Sequence, residues 1–213
     1  MGTMPRGLAV LLTFAVLVCG HAASAATLDF ETLLDLQPVS AQFAGLTFGN
    51  ATALVSGAVG GTLNELDFPP VSGVTVVFDD GGPMTITFDA PVASVSGHFT
   101  YVTALTLTAF DALLAPVATA TSAFGSNLAL SGDPGSAPGE LVQLAFAAGF
   151  TSLTIEGDLA GSSFTLDDFT FVPLEAPAAT PVPGTLHLLA TALGAAAWYG
   201  RRRPTKRTGS IRR

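Results

Sequence analysis

Between residues 27 and 172 the chain runs in short apolar–polar alternations, each closed by Gly, Pro, Asp or Asn. A period of two places successive side chains on opposite faces and predicts β-strands. VTVVFDDGGPMTITF (74–88) is the clearest case. Val74, Val76 and Phe78 alternate on one side of Asp79-Asp80-Gly81-Gly82-Pro83, and Met84, Ile86 and Phe88 on the other. Two β-branched runs around an Asp/Gly turn predict a hairpin. TLDFETL (27–33), GLTFGN (45–50), ALTLTAF (104–110), LVQLAFA (141–147), SLTIEG (152–157) and SSFTLDDFTFV (162–172) continue the series. About nine or ten short strands with regular turn punctuation predict an all-β fold, an antiparallel β-sandwich or jelly roll.

The two ends are patterned differently. Residues 1–26 carry Arg6, an apolar run from Leu8 to Val18, and a small-residue step at Ala23-Ser24-Ala25. This is the layout of a secretory signal peptide. Cys19 follows Val18, where a lipoprotein anchor would have Gly, Ala or Ser, so it reads as a small apolar residue of that run. Pro and Ala dominate residues 173–184, which predicts an extended linker. Residues 185–200, TLHLLATALGAAAWYG, form a second apolar run. As a helix it would reach about 24 Å, short of a roughly 30 Å hydrocarbon core. Trp198 and Tyr199 suit the interface and Arg201–Arg203 can snorkel, so a membrane helix is predicted, followed by a basic cytoplasmic tail at 201–213.

Charge sharpens this division. All 16 acidic residues lie between Asp29 and Glu175, and no Lys or Arg lies between residues 7 and 200. Seven of the eight basic residues follow position 200. The positive-inside rule then puts the tail in the cytoplasm and the acidic domain outside. Such a domain has no means of neutralising phosphates, which excludes nucleic acid as a partner. Its carboxylates must be met by backbone N–H groups, hydroxyls, water or a metal ion. The single cysteine, Cys19, allows no internal disulfide.

The step Pro181-Val182-Pro183-Gly184, the short apolar run and Arg201-Arg202-Arg203 together resemble a PEP-CTERM sorting signal over residues 181–203. The resemblance implies recognition and cleavage by a membrane exosortase. It further implies delivery to the cell surface or extracellular matrix, often linked to exopolysaccharide. Val182 stands where that signal has glutamate, and ten residues trail the arginines.

LDFE near the start, FDDGGPMTITFDAPVASVSGHFTY in the centre and GSSFTLDDFTF at the end resemble the extracellular jelly-roll, lectin-like domains that precede such signals. That resemblance implies a carbohydrate-binding or matrix role, often with a structural calcium ion. Calcium takes several carboxylate and carbonyl oxygens. The candidates are Glu31, the pair Asp79–Asp80, and the pair Asp167–Asp168. The resemblance implies a site built from Glu31, Asp167 and Asp168, because first and last strands adjoin in a jelly roll. Turn formation at Asp79–Asp80 and a β-bulge at Asp167–Asp168 are the structural alternatives.

Nothing here predicts catalysis. His98 is the only histidine between the two apolar ends, no G-x-S-x-G elbow occurs, and no thiol remains after signal removal. The expectation is a non-enzymatic surface or matrix protein. A calcium-dependent carbohydrate-binding module and a glycoside-active enzyme with a carboxylate pair are the alternatives. The predicted sandwich has one tyrosine, Tyr101, and no tryptophan, so it lacks the usual aromatic platform for sugar.

Overall fold

The computed structural model describes residues 24–175. Residues 1–23, most of the predicted signal peptide, and residues 176–213, with the predicted membrane helix at 185–200, the basic tail, Pro181, Val182, Pro183, Gly184 and Arg201–Arg203, lie outside the described residues. Among the described residues, no helix is long and apolar enough to cross a membrane.

Nine strands form: β1 (Ala26–Leu28), β2 (Leu46–Gly49), β3 (Ala51–Val55), β4 (Thr75–Asp79), β5 (Met84–Tyr101), β6 (Thr106–Phe110), β7 (Pro116–Thr121), β8 (Glu140–Glu156) and β9 (Phe164–Pro173). All pairings between them are antiparallel, in one sheet of order β3-β4-β9-β5-β8-β6-β7, with β1 on β9 and β2 on β5. The fold is therefore all-β, as the alternation predicts.

Two strands are far longer than the sequence suggests, 18 residues for β5 and 17 for β8. Each changes neighbours midway. The first part of β5 pairs β2 and the last part of β8, while its second part pairs β9 and the first part of β8. Register shifts on both strands near Val92 mark the bend. Gly149 sits there with φ +81°, packed so closely on Pro91 and Leu174 that a side chain would collide. The sheet thus doubles back on itself, an arrangement consistent with a β-sandwich.

The core fills the space between the two halves. Ile86, Phe88, Leu153 and Ile155 come from one side, and Phe99, Val142, Phe164, Leu166 and Phe169 from the other, in one continuous cluster. Phenylalanines meet edge to face, as in Phe99–Phe164 and Phe88–Phe150, the geometry their ring quadrupoles favour.

The hairpin expected at 74–88 does not form. Both runs are strands, but β4 pairs β3 and β9 whereas this part of β5 pairs β2 and β8. The Asp-Gly-Gly-Pro segment connects strands that do not pair with each other. Local alternation reveals a strand without revealing its partner. β3 and β7 also escaped the sequence reading, being short and rich in Ala and Thr.

The break in alternation at Asp167–Asp168 is a β-bulge. Between Ser96/Thr170 and His98/Asp167 the register slips by one residue, and Asp168 takes φ +46°. The extra residue flips the parity of β9. Phe164 and Leu166 face the core before it, and Phe169 and Phe171 face the core after it. Without the bulge, one of those pairs would point outward. Left-handed backbone costs a non-glycine residue about 1–2 kcal/mol. Both Asp168→Gly and Asp168→Val lose the hydrogen bond that the Asp168 carboxylate accepts from the Ser72 hydroxyl, so the backbone cost appears in their difference, and the valine variant should be about 1–2 kcal/mol less stable than the glycine variant. Urea denaturation of both variants checks this, and equal effects would overturn it.

Candidate functional site

The acids expected to matter fall at the end of β4, in the loop after β1 and at the bulge within β9. Asp79, fully buried at the end of β4, accepts hydrogen bonds from the Ser163 N–H (2.7 Å), the Ser163 hydroxyl (2.7 Å) and the Phe164 N–H (2.9 Å). The sequence reading of Asp79 as a plain turn former misses this buried role. Its neighbour Asp80 is exposed and accepts from the Thr52 hydroxyl at 2.8 Å.

Glu31, which follows β1, and Asp167 and Asp168 of β9 all bond to the same loop. One Asp167 oxygen accepts from Val71 N–H (2.7 Å) and Ser72 N–H (2.9 Å), and the other from Asp168 N–H. Asp168 accepts from the Ser72 hydroxyl at 2.8 Å. Glu31 accepts from Val74 N–H (3.0 Å) and Thr75 N–H (2.8 Å). Gly73, at φ +51°, presses so tightly on the Glu31 carboxylate that no side chain fits. Three carboxylates thus clasp five consecutive residues, 71–75. Among the described residues, no group of three or more His, Cys, Asp or Glu side chains has the arrangement of a metal site.

The clasp fixes the end of a long connection between β3 and β4, which folds over the outer face of that strand pair. Leu63, Asn64 and Phe68 from this loop, with Leu54, Phe78, Ser162, Phe164 and Thr165, enclose an apolar pocket of about 240 Å³. Phe68 and Phe78 are half-buried there and do not belong to the core. No pattern in the sequence separates them from core phenylalanines.

A second, larger depression of about 490 Å³ lies on the opposite-facing side chains of β5, β8 and β9. Ser94, Ser96, Gln143, Ala145, Thr170 and Val172 line it. The register sets Thr27, Thr170, Ser96 and Gln143 in one row across β1, β9, β5 and β8. Thr27 and Thr170 join their hydroxyls at 2.7 Å. The lining is uncharged and mixes the hydroxyls of Ser94, Ser96 and Thr170 and the amide of Gln143 with apolar side chains. His98, further along β5, is a strand residue whose Nδ1 meets the Gly139 carbonyl at 2.9 Å. Tyr101 is fully buried and donates its hydroxyl to Glu140. Burial and then the Glu140 carboxylate push its pKa up to about 12. It is therefore part of the interior and offers no sugar platform.

No family model matches this sequence, and no curated protein matches it. Among solved structures, the K2 cleaved adhesin domain of Lys-gingipain is similar at 15% identity, over 70% of this chain and 99% of that one, with a TM-score of 0.43.

Burial pushes the carboxyls of Asp79 and Asp167 above the ordinary aspartate value of 3.8, in spite of the N–H groups that favour the charged forms. The folded chain then holds protons that the unfolded chain releases. This contribution to stability is complete below 3.8 and is lost as pH rises through the raised folded values. Asp35, lowered by the Val55 N–H, acts in the opposite sense but lies near the surface, where solvent weakens it. The melting temperature should rise as pH is lowered from about 7 toward about 4. A steady fall over that window in thermal unfolding would overturn this.

Proposed function

We propose that this protein is an exported, non-enzymatic component of the cell surface or extracellular matrix, sorted through a PEP-CTERM-like C-terminus. The observation that carries the reading is the partition of charge. An acidic body without Lys or Arg stands between an apolar leader and an apolar run that ends in arginines. Its buried carboxylates are met by amides and hydroxyls. Pro181-Val182-Pro183-Gly184 would be the exosortase step and Arg201–Arg203 the cytoplasmic stop. Removing residues 185–213 should release the protein from the membrane fraction, and a truncated chain that stays membrane-bound would sink the proposal.

Contact with a neutral exopolysaccharide is read onto the hydroxyl-lined depression of β5, β8 and β9. This keeps the lectin-like jelly-roll reading but replaces the missing aromatic platform with a flat row of donors and acceptors. Neutral sugars need such groups, and they tolerate a site with no cation. Affinity electrophoresis in a neutral polysaccharide gel should retard the wild type. Exchange of Gln143→Leu together with Thr170→Val removes two polar partners and should weaken binding about tenfold. Equal mobility with and without polysaccharide, or no change in the double variant, would reject the site.

A further inference from the structure

Among the described residues, the sheet order ends on a strand with no partner on its outer side. β7 (Pro116–Thr121) pairs β6 and is the terminal strand of the order. By contrast, the opposite end at β3 is covered by the segment before β2, through Val39 N–H to Ala51 carbonyl and Ala53 N–H to Gln37 carbonyl. An exposed edge is a template for another strand, and proteins usually blunt it with charge, proline or bulges.

The direction of the free groups follows from the register. Leu105 faces Ser122, and the Ser122 N–H donates to the Leu105 carbonyl. Antiparallel pairs alternate between bonded and non-bonded. Leu107/Ala120 and Ala109/Ala118 are therefore bonded pairs, while Thr106/Thr121 and Thr108/Thr119 are not. Thr119 and Thr121 consequently aim their N–H and C=O groups away from β6. The register slip near Phe110 leaves these two residues clear of the irregular part.

The surroundings are equally suggestive. β6 and β7 contain no charged residue. Of the nearby acids, Asp111 is engaged with the N–H groups of Leu113 and Ala115, and Glu140 with Tyr101 and the Ala123 N–H, while the exposed Glu156 stands on β8, beyond β6 from β7. In a domain that repels its copies almost everywhere, this hairpin is an uncharged approach. Its tip carries Leu113 and Leu114, 88% and 75% exposed.

We infer that β7 is a self-association edge whose partner is β7 of a second copy. A two-fold axis at Ala120 sets Thr119 opposite Thr121 of the second copy, and the reverse. Each opposed pair exchanges two backbone hydrogen bonds. The same register carries the hairpin tip, with Leu113 and Leu114, toward the second copy's Phe124–Ser126 segment, where the half-buried Phe124 offers apolar surface. The occupant is a second copy because the free groups of Thr119 and Thr121 are self-complementary about Ala120, and β6 and β7 put no charge on the edge to oppose a chain that is acidic elsewhere.

The test is sedimentation equilibrium of the full chain, solubilised from membranes in a mild detergent. Wild type should show a concentration-dependent dimer. Thr119→Pro removes an N–H that makes no bond within the chain, so it should keep the wild-type melting temperature while weakening dimerisation at least about tenfold. Ala120→Pro removes a bond to β6 and should lower the melting temperature. If Thr119→Pro fails to fold, the pair Thr119→Lys and Thr121→Lys serves instead, placing charge on the same edge. A monomeric wild type at all concentrations, or folded edge variants that dimerise as wild type does, would overturn the inference.

Discussion

A body with 16 carboxylates and no lysine or arginine has to settle its buried negative charge with neutral donors. That constraint shapes the molecule. Asp79 gathers amides 84 and 85 residues away in sequence, and Asp167 gathers amides 95 and 96 residues away. These acids tie distant segments together in a chain whose described residues contain no cysteine. Hydrogen bonds to a charged acceptor are worth roughly 1.5–3 kcal/mol each, and burial works against them. The result is a clasp at each site, held against the cost of dehydration.

The sequence made much of the fold legible. Alternation found most strands, and the pairing of first and last strands follows the expected layout. The bulge at Asp168 was visible as a defect in period. Partner choice was hidden. The Asp79–Pro83 turn has every local mark of a hairpin, yet the core draws its two strands to different neighbours. The continuity of β5 and β8 through a bend was hidden too, because Pro91 and Gly149 look like ordinary strand ends.

The candidate site shows the same split between chemistry and geometry. Glu31, Asp167 and Asp168 were singled out because acids without basic partners need something to hold. What they hold is the segment 71–75, through its amides and the Ser72 hydroxyl. Electrostatics predicted the need for a partner but left several partners open. Phe68 and Phe78 carried no signal, since phenylalanine is ordinarily interior. Only the long loop that folds over β3 and β4 makes them pocket walls.

The position of β9 has a mechanical consequence. It is the last strand of the described chain, and it lies inside the sheet, with β5 on one side and β4 and β1 on the other. Tension applied through the chain beyond Pro173 pulls along this strand. The hydrogen bonds on both flanks are then loaded together in shear, so none can be peeled open one at a time. A domain tethered by its C-terminal end would resist flow through the same ladders that close its core.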